Sequence, residues 1–156
     1  MVDVAPRVKI VCMDATHNTT GYSYYLITLM IKDKSGMGCP VGHCICTSED
    51  TTTVEVFLSE VRKKCGHPII VDYFMSDGAR AYHNAWCNVM HTSSDPPSTK
   101  PIPVKCMWHI LKSWKEQLKP IKDKNVAEYN YIYTCLRTLL QTKNAEMIHH
   151  VIIQNA

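Results

Sequence analysis

Ile69-Ile70-Val71-Asp72-Tyr73-Phe74-Met75 is a run of β-branched and aromatic residues that stops at Ser76-Asp77-Gly78. Ala79, Tyr82, Trp86, Val89 and Met90 then recur at helical spacing, so the stretch reads as strand, turn and helix. Just before it, Ser48-Glu49-Asp50-Thr51 supplies capping oxygens, and Val54, Phe57, Leu58 and Val61 share one helical face until Gly66 and Pro68 stop it. A strand reached through a helix normally lies parallel to a neighbour in the same sheet, joined by a right-handed crossover. This stretch therefore makes the chain an α/β protein.

Upstream, the period is that of strands. Arg7 to Met13 (RVKIVCM) is a short strand ending at Asp14, and Thr16 to Gly21 is a polar turn. Tyr22 to Ile31 is a long strand, closed by Asp33-Lys34-Ser35-Gly36, and Cys39 to Thr47 is a third. Short connections make these three an antiparallel meander. Downstream, Thr92 to Pro103 is a proline-rich loop and Ile102 to Cys106 a fifth strand. Trp108, Leu111, Trp114 and Leu118 mark a third helix whose other face carries Lys112, Lys115 and Lys119. After Pro120, Tyr129, Ile132, Tyr133, Leu136, Leu139 and Leu140 mark a fourth, and Ala145 to Ile153 a short last one. The expected architecture is a mixed five-stranded sheet, three antiparallel strands then parallel crossovers, flanked by helices. Residues 1–120 form its core and 121–156 a C-terminal helical extension.

The composition fits one globular domain. In 156 residues, 46% are apolar and 20% charged, which excludes disordered and fibrous classes. The longest apolar stretch, Leu26 to Ile31, is far short of the roughly twenty residues a spanning helix needs. The first residues, Met-Val-Asp-Val-Ala-Pro-Arg, lack a basic-then-apolar leader pattern, so neither a membrane nor a secreted protein is expected. The eight cysteines are irregularly spaced and read as reduced, mostly buried thiols of an intracellular protein. The sequon Asn18-Thr19-Thr20 then has no consequence. Net charge is only +3, but Lys100 to Lys124 holds seven lysines against Glu116 and Asp123. That stretch suits an anionic partner.

If the fourth strand pairs with the first, their C-terminal ends share one sheet edge and Asp14 meets Asp77. Two such carboxylates repel unless a cation lies between them. Oxygen ligands of this kind suit Mg²⁺ or Mn²⁺, and a pair of such ions can activate the attacking oxygen and stabilise the leaving one in phosphodiester chemistry. The plainer reading is that Asp14 is a turn residue and Asp77 caps the helix beginning near Ala79. On the residues alone both stay open.

The order Asp14-Ala15-Thr16, Gly21-Tyr22 through Leu26, Gly36 to Pro40, Glu49, Asp77-Gly78-Ala79-Arg80-Ala81 with Ala85, and Cys106-Met107-Trp108-His109 with Lys112 resembles the transposase domain of Mutator-like elements. This MULE domain is a branch of the DDE transposases with a ribonuclease H-like fold, and the resemblance runs from about Lys9 to Trp114. It implies that Asp14 and Asp77 are the first and second catalytic aspartates and metal ligands, and that Cys106 and His109 form a Cys-x-x-His signature. Glu49 matches an acidic position after the third strand and is assigned to the helix start. The implied reaction is metal-dependent hydrolysis at a transposon end followed by strand transfer, with Mg²⁺ or Mn²⁺, DNA as partner, a nuclear location, and self-association left open.

There are departures. His17 stands where an aromatic is usual, and the Thr92 to Pro103 loop is long. The family's third acid is a glutamate on a later helix. Beyond Asp123 only Glu128, expected at the surface, and Glu146, the candidate, are acidic. Catalysis is therefore expected to be incomplete, and the rival reading is a non-catalytic ribonuclease H-like module that binds DNA or protein. An ordinary nuclease or hydrolase of the same fold is a third. Cys106-x-x-His109 is half a zinc site without a second half, so structural zinc is not expected. His109 is read as a DNA-end or second-layer residue, or as packed beside Cys106. Trp108 and Trp114 are assigned to the core, and Tyr22, Tyr24 and Tyr25 to strand packing. Lys105, Lys112, Lys115 and Lys119 are the DNA-binding candidates, against the alternative of a solvated helix face.

Overall fold

The computed structural model describes residues 7–17, 21–32, 35–91 and 100–142. The described elements are β1 (Arg7–Thr16), β2 (Tyr25–Lys32), β3 (Gly38–Cys46), α1 (Thr51–Cys65), β4 (Ile70–Ser76), α2 (Arg80–Met90), β5 (Ile102–Lys105), α3 (Met107–Gln117), α4 (Lys119–Lys124) and α5 (Val126–Gln141). The chain divides into two compact units between Cys106 and Met107.

The first unit is an α/β sheet unit with strand order β3-β2-β1-β4-β5. β1 and β2, and β2 and β3, pair antiparallel; β1 with β4, and β4 with β5, pair parallel. The expected mixed five-stranded sheet is thus what forms. Strand alternation sends Val11, Met13, Ile27, Leu29, Ile31 and Phe74 into one core with Val54, Phe57, Leu58 and Val61 of α1 and Tyr82, Ala85, Trp86 and Met90 of α2. Each such apolar side chain contributes roughly 1.5–3 kcal/mol when fully buried.

Local chemistry sets the helix ends. Asp50 caps α1 by accepting the Thr53 N–H at 2.8 Å, and Ser48 Oγ donates to its other oxygen at 2.6 Å. The Ser48 hydroxyl, then the Thr53 amide, hold the Asp50 carboxyl below the usual carboxylate range. Gly66, at φ 75°, closes the helix in the left-handed region and gives its N–H to the Arg62 and Lys63 carbonyls. Among the described residues β3 pairs on one side only, and the register shift between Leu29 and Met30 lies opposite the Pro40 to Gly42 segment. A proline is tolerated on such an irregular edge strand.

Three expectations are corrected in this unit. β1 does not end at Asp14, because β2 keeps pairing with it through Asp14↔Thr28, Ala15↔Ile27 and Thr16↔Leu26. β2 starts at Tyr25 after a turn in which Ser23 takes φ 57°, so Tyr22 (81% exposed) and Tyr24 precede the strand and are not packed in it. The eight cysteines are free and half-buried, none fully enclosed.

The second unit contains α3, α4 and α5. α3 stops before Pro120 and α4 begins at Lys119, so Lys119 is not on the helix that carries Lys112 and Lys115. Trp108 is 61% exposed rather than core, and the Lys112 ammonium lies 5.2 Å from its ring centroid. Trp114 is half-buried. Asn125 caps α5 by accepting the Ala127 and Glu128 amides. Tyr129 and Tyr133 stack at 5.8 Å, with Lys122 and Lys115 over their respective faces. Glu128 is exposed in the first turn of α5. Glu146 and the Ala145 to Ile153 segment lie outside the described residues. Among the described residues no helix is long and apolar enough to cross a membrane.

Candidate functional site

The parallel ladder between β1 and β4 runs Arg7↔Ile70, Val8↔Val71, Ile10↔Tyr73, Val11↔Phe74 and Cys12↔Met75. The ladder ends there, and Asp14 and Asp77 each lie two residues beyond its last pair. Asp14 is half-buried within β1, and Asp77 is the first residue after β4.

Tyr82, on the first turn of α2, is 1% exposed, and its hydroxyl donates to Glu49 Oε2. Burial pushes the Tyr82 phenol far above its ordinary value. The hydrogen bond to Glu49 and the charges of Glu49, Asp77 and Asp14 add to the rise, in that order. One enclosed hydroxyl therefore feels all three carboxylates. Glu49 Oε1 lies 3.7 Å from His17 Nε2, and the His17 ring meets Tyr25 edge-on at 4.9 Å. Sequence reasoning placed Tyr82 on the apolar stripe of its helix and Glu49 at a helix start. The signal that could have linked them is that a buried tyrosine needs a partner for its hydroxyl.

Asp77 Oδ1 accepts the Ala79 N–H at 3.0 Å, and Ser76 Oγ accepts the Gly78 N–H at 3.2 Å. Asp77 therefore shapes the turn but does not cap α2, whose N-cap is Ala79 without a side-chain cap hydrogen bond, and Asp14 is a strand residue rather than a turn residue. A carboxylate offers about four acceptor sites, so Asp77 keeps others. Gly78 takes φ 110°, a conformation that disfavours any side chain there. Among the described residues no group of three or more His, Cys, Asp or Glu side chains could hold a metal ion.

The remaining candidates are placed as follows. Cys106 follows β5 and gives its N–H to the Ser76 carbonyl at 2.8 Å. Its proximity, after burial, helps raise the Cys12 thiol, while Lys32 lowers it. His109 lies on α3, half-buried, its ring 4.7 Å from that of Trp108 and nearly perpendicular to it. Lys105 ends β5 and pairs in register with Ser76. Lys112, Lys115 and Lys119 are all exposed.

Tyr82→Phe should cost about 1.5–3 kcal/mol at neutral pH, the value of a hydrogen bond to a charged group. Because the folded protein holds the Tyr82 proton more tightly than the unfolded chain, wild-type stability should fall as pH rises past about 10. The variant should lose less over that range. Urea midpoints between pH 7 and pH 11 check both; equal alkaline slopes would contradict the buried, carboxylate-facing phenol.

Among known protein families, the MULE transposase domain matches residues 10–113, about two thirds of the chain. No curated protein matches the chain.

Proposed function

The chain belongs to the MULE transposase domain family, and from that premise we propose that Asp14 and Asp77 hold a divalent cation, Mg²⁺ or Mn²⁺, against a DNA phosphodiester at the edge of a ribonuclease H-like sheet. The observation that supports this reading is the parallel β1–β4 register, whose last pair, Cys12↔Met75, lies two residues before each aspartate. The donor set fits the ion: Mg²⁺ is commonly held by one or two carboxylates and takes the rest of its shell from water and substrate phosphate. Bound there, the cation supplies Lewis-acid polarisation of the phosphoryl oxygens. Asp77 is oriented by the Ala79 amide, and Glu49 is held by the Tyr82 hydroxyl. Residues 1–120 are read as the core of this domain and 121–156 as a helical extension. A nuclear location goes with this reading through the family resemblance alone.

A second reading is a non-catalytic ribonuclease H-like module that binds DNA or protein. It agrees with the lack, among the described residues, of a group of three or more His, Cys, Asp or Glu that could hold a metal, Glu146 lying outside them. A two-metal mechanism needs ligands for both ions, so nicking and strand transfer by the isolated chain should be weak or absent. Robust Mg²⁺-dependent nicking lost in Asp77→Asn would reject the second reading and direct attention to Glu146→Gln.

DNA affinity should rest on phosphate contacts and fall steeply with salt. If Lys112, Lys115 and Lys119 each neutralise one phosphate, the slope of log K against log salt should flatten by about 2.7 when all three become Gln. None of the three is buried, so the fold should survive. Anisotropy with duplex DNA at three salt concentrations tests it; the solvated-face alternative requires an unchanged slope.

A further inference from the structure

We propose that the cleft between the Ser76–Arg80 turn and β5 seats a phosphodiester of the bound DNA strand, gripped by Arg80 and Lys105. The proposal rests on the reading above for the identity of the strand, and on the following geometry for the seat. The cleft measures about 390 Å³ and is lined by Ser76, Gly78, Arg80, Asn84, Val104 and Lys105 among others, with no carboxylate in its lining. Two cations thus face one concavity from two different elements, the start of α2 and the end of β5. Neither forms an ion pair with a described residue.

The seat is built on fixed backbone. Ser76 pairs with Lys105 in the parallel ladder, and the Cys106 N–H closes on the Ser76 carbonyl at 2.8 Å. The Lys105 stem is laid across Gly78, its Cε 3.4 Å from where a Cβ would stand. That stem therefore gives up less rotamer freedom on binding than a free surface lysine. Arg80 adds a planar fork that matches two phosphate oxygens at once, and Asn84 a neutral amide for a third contact. The positive end of the α2 dipole adds to their field. Asp77 is next to Gly78, so a phosphate in this cleft neighbours the carboxylate pair. A strand seated there would be positioned by contacts separate from the metal ligands.

The test uses the whole chain, without metal, and the double variant Arg80→Gln with Lys105→Gln. Inorganic phosphate, a single-stranded oligonucleotide and a duplex are titrated in turn, following amide shifts by NMR and affinity by anisotropy. Expected are saturable shifts at Gly78, Arg80 and Lys105, tighter for either oligonucleotide than for phosphate. In the double variant, affinity should fall about tenfold for each lost charge-assisted contact, and the salt slope should flatten by about 1.8 on the duplex and about 1.4 on the single strand. Absence of these shifts, unchanged affinity in the double variant, or a cleft that prefers free phosphate would each overturn the proposal. The response to Mn²⁺ should be the same in the double variant and wild type, so the seat and the Asp14–Asp77 reading can fail separately.

Discussion

Trp86→Ala should destabilise the sheet unit by about 3–5 kcal/mol, the usual cost of emptying a large aromatic site in a packed core. Trp86 is fully enclosed, with its ring 5.5 Å from Phe74 of β4, so it pins α2 to the strand that delivers Asp77. In a chain of this length the loss corresponds to roughly 6–20 °C in melting temperature. Trp86→Phe should cost much less. The Trp86 Nε1 is buried without a hydrogen-bond partner among the described residues, so the native side chain already carries a desolvation cost of about 1–3 kcal/mol that phenylalanine removes. Urea unfolding of both variants measures the difference. Equal losses would mean that the indole N–H is satisfied and that ring volume alone does not set the cost.

The same residues show why much of the fold was legible in the sequence. Ile69 to Met75 had one period and the segments on either side another, and only a crossover accommodates that order. The cap at Asp50 and the stop at Gly66 each have local chemistry that reads directly from residue type. The errors came where pairing or packing overrode local signals. Asp14-Ala15-Thr16 looks like the end of a strand, yet β2 supplies partners for all three. Trp108 shares the spacing of Leu111 and Trp114, but spacing does not say how wide a helix face is covered, and Trp108 stays exposed. The break before Pro120 separated Lys119 from the two lysines it was grouped with.

The site was legible in part for a related reason. Asp14 and Asp77 could be put forward as a pair because the expected parallel pairing of the first and fourth strands does form, as far as Cys12↔Met75. The partnership of Tyr82 with Glu49 could not, because 33 residues separate them and only the packing of α2 beside the start of α1 brings them together. A tyrosine in an apolar stripe reads as core, and Tyr82 is core; its hydroxyl also gives it a carboxylate partner in Glu49.

Mn²⁺ titration of thermal stability bears most directly on the central claim. Any ligand that binds the folded state alone stabilises it by mass action, by about 2.7 kcal/mol at a free concentration one hundred times the dissociation constant. That corresponds to roughly 5–10 °C here. Asp14→Asn and Asp77→Asn remove one charge each but keep an oxygen acceptor, including the one that meets the Ala79 amide. The metal-free melting temperature of each variant is the baseline from which its metal response is read. With metal, each should lose most of the rise, whereas Glu49→Gln, whose carboxylate completes no metal-holding group, should retain most of it. A Mn²⁺ response of wild-type size in both aspartate variants would contradict the assignment of the metal to Asp14 and Asp77.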